Sequence, residues 1–300
     1  MMLATVAILA VSGAASADDK VPPDFVAVTP LGPPPYASGA YWFCSLGGAR
    51  PTCAHFGQHG SGTPLVAQPW TPELPPGKGK LRALVGPSQA ELDALDADGV
   101  WWHRDQRHAW NARADTRGTT ILTGHMGMIC GATAKGVWCD ASSMVRFDVG
   151  QPRELTAAGY SAVFSTSDGR VGLIDGRDYK PLTLKWSSAL KGSHSLTIQQ
   201  SLACGITAAG QLVCAAFSAP DRALAVGSPE VGGRSAVGVA FAAVRAAGGS
   251  ALFALAKDGR VFGLRPPDEE IGVFAVGGVD LVGEITPCIV RRSGPWYCVP

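Results

Sequence analysis

Charge is scarce in this chain. Asp, Glu, Lys and Arg make up 16 % of its 300 residues, against roughly a quarter in an average soluble protein. The two signs nearly cancel, leaving a net charge of +1. Neutralising a phosphate backbone takes a surplus of cations, so this balance opposes a nucleic-acid partner. Long apolar runs are also missing. The most sustained one, Leu3 to Val11, falls short of the roughly 20 residues that a membrane-crossing helix needs. The short signatures of enzyme chemistry are absent as well: there is no Gly-x-x-x-x-Gly-Lys phosphate loop, no His-Glu-x-x-His and no Gly-x-Ser-x-Gly elbow.

What the chain does have begins at its start. In "MMLATVAILAVSGAASADDK" an apolar run is followed by small residues, and Ala15-Ser16-Ala17 offers a cleavage site before Asp18. No Lys or Arg precedes the run. The reading is an export signal over residues 1–17 and a single mature domain over 18–300, with no membrane span after cleavage. The eight cysteines agree, because an even number in an exported chain reads as a set of disulfides formed in an oxidising compartment. Secretion, or residence in a periplasm or cell envelope, is therefore expected.

Thirty-eight glycines and 22 prolines are spread along the chain, implying many turns and an all-β fold of short strands. The cysteines expose a repeat. They lie in "WFCSLGGARPTCAH", "MICGATAKGVWCDA", "LACGITAAGQLVCAA" and "TPCIVRRSGPWYCVP", and in the last three a glycine (Gly136, Gly210, Gly294) falls six residues after the first cysteine. Arg50 holds that place in the first. Three further segments carry the pattern without cysteines, "LDALDADGVWWH", "AVFSTSDGRVGLI" and "ALFALAKDGRVFGL". Asp-Gly between apolar runs is a hairpin signal, since glycine accepts the positive φ of the turn. Seven hairpins result, and the equivalent glycines from Gly99 onward are 33 to 49 residues apart. Units of about 40 residues with three or four strands each are propeller blades. The expected fold is a seven-bladed β-propeller.

"FAAVRAAGGSALFALAKDGRVFGL" and "LTAAGYSAVFSTSDGRVGLI" resemble the repeat of the regulator-of-chromosome-condensation family. In that repeat a strand, a glycine, a small-residue stretch and an Ala-Leu-x-x-Asp-Gly-x-Val hairpin recur. The cysteine-bearing units resemble secreted bacterial versions of it, and the resemblance spans about residues 25 to 300. It implies a propeller. The last hairpin ends at the chain terminus, leaving its blade one strand short. "DFVAVTP" (Asp24 to Pro30) either fills that gap and closes the ring or forms the inner strand of the first blade. "LGPPPYASG" and "QPWTPELPPGKGK" read as turn-rich connections.

Structural zinc sites use cysteines separated by two to four residues, whereas these pairs have eight or nine between them. Directly opposed residues of a hairpin bring their Cβ atoms close to disulfide range. Four bridges within hairpins are therefore predicted: Cys44–Cys53, Cys130–Cys139, Cys204–Cys214 and Cys288–Cys298. His55 and His59, four apart, are placed in a polar loop, because Gly57 and Gly60 oppose a helix that would aim both at a metal. No metal, cofactor or catalytic residue is assigned.

The densest candidate for binding is "WWHRDQRHAW": Trp101, Trp102, His103, Arg104, Arg107, His108 and Trp110. Trp and Arg are enriched among residues that dominate protein–protein binding energy, and aromatic faces also hold sugars. The competing role is structural, with Trp101 or Trp102 packed between blades. The function expected is a monomeric, non-catalytic, exported propeller that binds another protein through its loop faces. The alternative is an exported hydrolase or carbohydrate-binding propeller using the central channel for a glycan.

Overall fold

The computed structural model describes residues 25–299, except 40, 58–66, 87–90, 106, 126, 142, 178–180, 248–250, 266–268, 275–277, 284–285 and 293. The segment expected to be an export signal, residues 1–17, and His59 lie outside the described residues. The strands form seven four-stranded antiparallel sheets, arranged as the blades of a propeller. The first strand, β1 (Val26–Val28), belongs to the last blade. Blade I holds β2 (Tyr36–Gly39), β3 (Trp42–Ser45), β4 (Thr52–Phe56) and β5 (Ala67–Trp70). Blade II holds β6 (Leu81–Val85), β7 (Asp93–Asp96), β8 (Trp101–Arg104) and β9 (Trp110–Arg113). Blade III holds β10 (Ile121–His125), β11 (Met128–Ala132), β12 (Gly136–Asp140) and β13 (Met144–Asp148), and blade IV holds β14 (Pro152–Ala158), β15 (Ser161–Thr166), β16 (Val171–Asp175) and β17 (Thr183–Ser187). Blade V comprises β18 (His194–Gln199), β19 (Leu202–Ile206), β20 (Leu212–Ala216) and β21 (Ala219–Ala225). Blade VI comprises β22 (Phe241–Ala247), β23 (Ala251–Ala256), β24 (Val261–Arg265) and β25 (Glu269–Phe274). Blade VII takes β26 (Gly278–Val282), β27 (Cys288–Arg291) and β28 (Trp296–Cys298), and is completed by β1.

That last pairing decides the closure question. Val26 to Val28 lie opposite Cys298 to Trp296, so these three residues of "DFVAVTP" supply the outer strand of the final blade and close the ring. The inner strand of blade I is instead Tyr36–Gly39, inside a segment that reads as a connection in the sequence. The other segment that reads as a connection, "QPWTPELPPGKGK", likewise begins within a strand, the outer strand β5 at the far edge of the blade. Pro69, paired with Ala54, is tolerated there because an edge strand does not need every amide.

The core is divided. Each of the seven buried apolar clusters draws on two adjacent blades or their connectors, one cluster for each of the seven interfaces around the ring. Cross-strand pairs at one equivalent position occupy the face that each blade turns to the next. Blades I, III, V and VII place disulfides there, Cys44–Cys53, Cys130–Cys139, Cys204–Cys214 and Cys288–Cys298, each between directly opposed residues. Blade IV uses Val163 opposite Leu173 and blade VI Phe253 opposite Gly263. Blade II sets Asp93 against His103. The Asp93 carboxylate, 4 % exposed, accepts bonds from Trp101 Nε1 at 2.5 Å and His103 Nδ1 at 3.1 Å.

Backbone bonds lock neighbouring blades together on one side of the ring. The turn between the second and third strands of a blade meets the connector that enters the next: Thr119 N donates to Gly99 O, Gly150 N to Lys135 O, Gly192 N to Gly169 O, Phe241 N to Gly210 O and Gly278 N to Gly259 O, over 2.7 to 3.2 Å. We call this side the turn face. Gly99, Gly169, Gly210, Gly259 and Gly294 all have φ between 74° and 88°, as Asp-Gly-type turns require. Gly136 differs. It begins β12, and a Cβ there would lie 2.0 Å from Phe147 O, so close approach of the next strand, not a left-handed turn, calls for glycine. Around the channel, threonines stitch inner strands that share no sheet: Ala157 N donates to Thr123 Oγ1, Ala246 N to Thr197 Oγ1, and Thr156 Oγ1 to Leu196 O, at 3.0 to 3.1 Å.

Two predictions follow from the paired positions. The loop closed by Cys130–Cys139 spans nine residues, so in the chain-entropy picture the bridge contributes about 2.5 kcal/mol. Replacing both cysteines with serine is expected to lower Tm by about 5–10 °C, read by circular dichroism; an unchanged Tm would remove that role. In blade II the hydrogen bond that His103 donates to Asp93 raises the His103 pKa above its ordinary value of about 6.5, against the opposing effect of burial. The stabilisation is fully present below that value and lost as pH rises through the raised pKa. Denaturation of wild type and His103→Gln between acid and alkaline pH should show the variant's deficit shrinking as pH rises.

Candidate functional site

Two regions bring chemistry-bearing side chains together. The first is the central channel, a cavity of about 570 Å³ lined by inner-strand residues from all seven blades. Its charged side chains are Arg153 and Glu154 on β14, Arg245 on β22 and Asp280 on β26, with His194 from β18 and Tyr36 from β2 beside them. The inner strands of blades II, IV, V, VI and VII shift register within their first few residues. Such bulges are common at barrel rims, where they bend a strand and redirect a side chain.

Much of this polar lining serves to join blades. Glu154 Oε2 accepts the Leu196 amide at 3.0 Å. Arg245 Nη1 donates to Ser195 Oγ at 2.8 Å and to Val244 O at 2.7 Å, and Ser195 Oγ accepts the Val244 amide at 3.0 Å. Asp280 Oδ1 accepts the Leu281 amide at 2.8 Å. Burial, and secondarily the Asp280 charge, pushes the Tyr36 hydroxyl above its ordinary pKa. The carboxylates Glu154 and Asp280 stand on blades IV and VII. Nothing in the sequence marks these residues as a group, since each is a single residue on a different strand and only the ring gathers them.

The second region is the segment from Trp101 to Trp110, which the structure divides. Trp101 is 5 % exposed. It belongs to the interface between blades II and III, stacked on Trp138 with ring centroids 5.1 Å apart. Trp102 and Trp110 are half-buried on the opposite side of the blade, against blade I. Trp102 Nε1 donates to Asp96 Oδ2 at 3.0 Å. Asp96, fully buried, also accepts the Val100 and Asp98 amides and pairs with Lys78 at 2.8 Å. Its burial resists ionisation, but these four partners together hold its carboxyl down to about 2. Arg104 is buried and ion-paired to Glu73. Arg107 and His108 are exposed on the turn before β9, where Asp105 Oδ1 caps the Arg107 and Ala109 amides at 2.9 Å. Together with His103 they form the solvent-facing remainder, on the side away from the turn face. Composition alone could not separate the two sets, because adjacent strand residues point to opposite faces.

His55 lies within β4, opposite Trp42 and Gln68, and not in a loop; its partial burial lowers its pKa. Among the described residues, no three His, Cys, Asp or Glu side chains gather as a metal site, and no helix is long and apolar enough to cross a membrane.

No family model matches the chain, and no curated protein matches its sequence. Solved structures do match. Human WBSCR16 aligns over 88 % of this chain and 86 % of its own with 12 % identity and a TM-score of 0.60. Prp20p from Saccharomyces cerevisiae aligns over 88 % and 81 % with 10 % identity and a TM-score of 0.56; the yeast RCC1 (Prp20) has also been solved bound to Kap60. PorZ of Porphyromonas gingivalis, a bacterial surface component of a type-IX secretion system, matches with 12 % identity and a TM-score of 0.53, and the chain covers 85 % of itself but only 35 % of PorZ. At these identities the likeness is one of architecture: the chain has an RCC1-like, seven-bladed β-propeller fold.

Proposed function

We propose that this chain is an exported, non-catalytic propeller that presents its loop faces to another protein. One observation carries the reading. A ring packed through a buried cluster at every interface holds connectors of very uneven length, from the short link at 149–151 to the long one at 226–240. A rigid scaffold with variable loops is how binding surfaces are commonly built. The four disulfides fit an oxidising environment and support export. Yeast RCC1 (Prp20), which this chain resembles in fold, has been solved bound to another protein, Kap60. His103, Arg107 and His108 are candidate contacts on one loop face, with Trp101, Trp102, Arg104 and Trp110 holding the blade that presents them.

The test is a pull-down with the immobilised mature protein, residues 18–300, from envelope and culture fractions. One protein retained at near-stoichiometric level and displaced by free propeller is the expected result. Retention of glycans alone, or turnover of a glycoside that Glu154→Gln abolishes, would replace this reading with the channel-based alternative.

A further inference from the structure

A chain of nearly zero net charge does not distribute its charges evenly. On the turn face, exposed cations occur around the ring: Arg50, Lys80, Arg117, Lys135, Lys191 and Lys257. The carboxylates near them are largely neutralised. Asp98 pairs with Lys78, Asp115 with Arg113, Asp168 with Arg170 at 2.7 Å and Asp258 with Arg260 at 2.8 Å. Glu73 is taken by Arg104, and the exposed Asp148, at the end of β13, joins none of these pairs. Exposed Asp221 likewise joins none, accepting only the Ser188 amide and hydroxyl. A surface with more unmatched cations than unmatched acids attracts anions, however balanced the whole chain is.

Over blades IV to VI this cationic surface also carries apolar anchors. Val237, on the connector between blades V and VI, is 63 % exposed, and Trp186, at the end of β17, is 37 % exposed. The Arg170 guanidinium stacks 4.4 Å from the Trp186 ring. Lys191 adjoins Arg170 through the Gly192–Gly169 backbone bond, and the Lys257 amide donates to Ala240 O of the connector that bears Val237. Arg153, exposed at the start of β14, lines the channel mouth at the inner edge of blade IV.

We infer that the turn face over blades IV to VI is a docking surface for an acidic protein segment with apolar side chains among its carboxylates. Lys191, Lys257 and Arg153 attract the acids, and Val237 and Trp186 take the apolar groups. A nucleic acid fits less well, because its unbroken line of phosphates would pass over Asp168 and Asp258 and leave Val237 without a partner. This inference rests on the protein-interaction reading above and adds to it a second binding face, opposite the one that carries Arg107, with the chemistry of its partner.

The probe is a labelled peptide of repeating Asp-Glu-Leu, titrated against the mature protein by fluorescence anisotropy, with duplex DNA as the competing polyanion. Binding that weakens with added salt is expected, as for any charge-steered contact. Lys191→Glu/Lys257→Glu should weaken it at least tenfold and Val237→Asp several-fold, with melting temperatures unchanged, while Arg82→Glu, exposed on blade II outside this surface, leaves it intact. Lys191→Gln/Lys257→Gln should give a smaller loss in the same direction. No peptide binding, equal binding by the double reversal, or tighter binding of DNA would each overturn the inference. A protein captured in the pull-down that binds the double reversal and wild type equally would overturn it while leaving the interaction reading in place.

Discussion

The structure depends on a constraint of area: a four-stranded sheet of this size cannot bury its own faces. Each blade gains a dry face only against its neighbour, so burial is worth having only when the ring is complete. The seven clusters, one per interface, express this directly. Closure falls to three residues, Val26 to Val28, whose pairing with the final hairpin also removes an edge that would otherwise be open to aggregation. The clamps on the turn face and the threonines around the channel work to the same end, fixing the angle at which one blade meets the next.

Much of this was legible in the sequence because the repeat is local. Asp-Gly turns, cysteines at fixed distances and small residues after short strands each record the geometry of one hairpin, and a hairpin needs only its own residues. Blade I was obscure because its inner strand is only "YASG" and its outer strand contains Pro69, both of which imitate a connection. The role of β1 was open because it depends on a partner at the other end of the chain. His55 was misplaced in a loop because glycines follow it closely, although the strand ends at Phe56.

The candidate sites show a deeper limit. "WWHRDQRHAW" is conspicuous by composition, yet its largest side chains are spent on two opposite faces of one blade. The channel residues and the turn-face cations are inconspicuous, one or two to a repeat. A ring brings the same position of every repeat to the same place, so a weak tendency in each unit becomes a property of a surface. Net charge, summed over the chain, averages that property away.

The equivalent cross-strand pairs alternate between cysteines and other residues from blade to blade, and that alternation meets a problem of parity. A pattern of period two cannot close on an odd ring. In seven blades one mismatch is unavoidable, and it falls where blades VII and I, both stapled, stand side by side. Blade I is thus flanked by two interfaces that contain disulfides, and one of those interfaces is the seam crossed by β1. The covalent reinforcement is densest where the ring is held shut by non-covalent pairing alone.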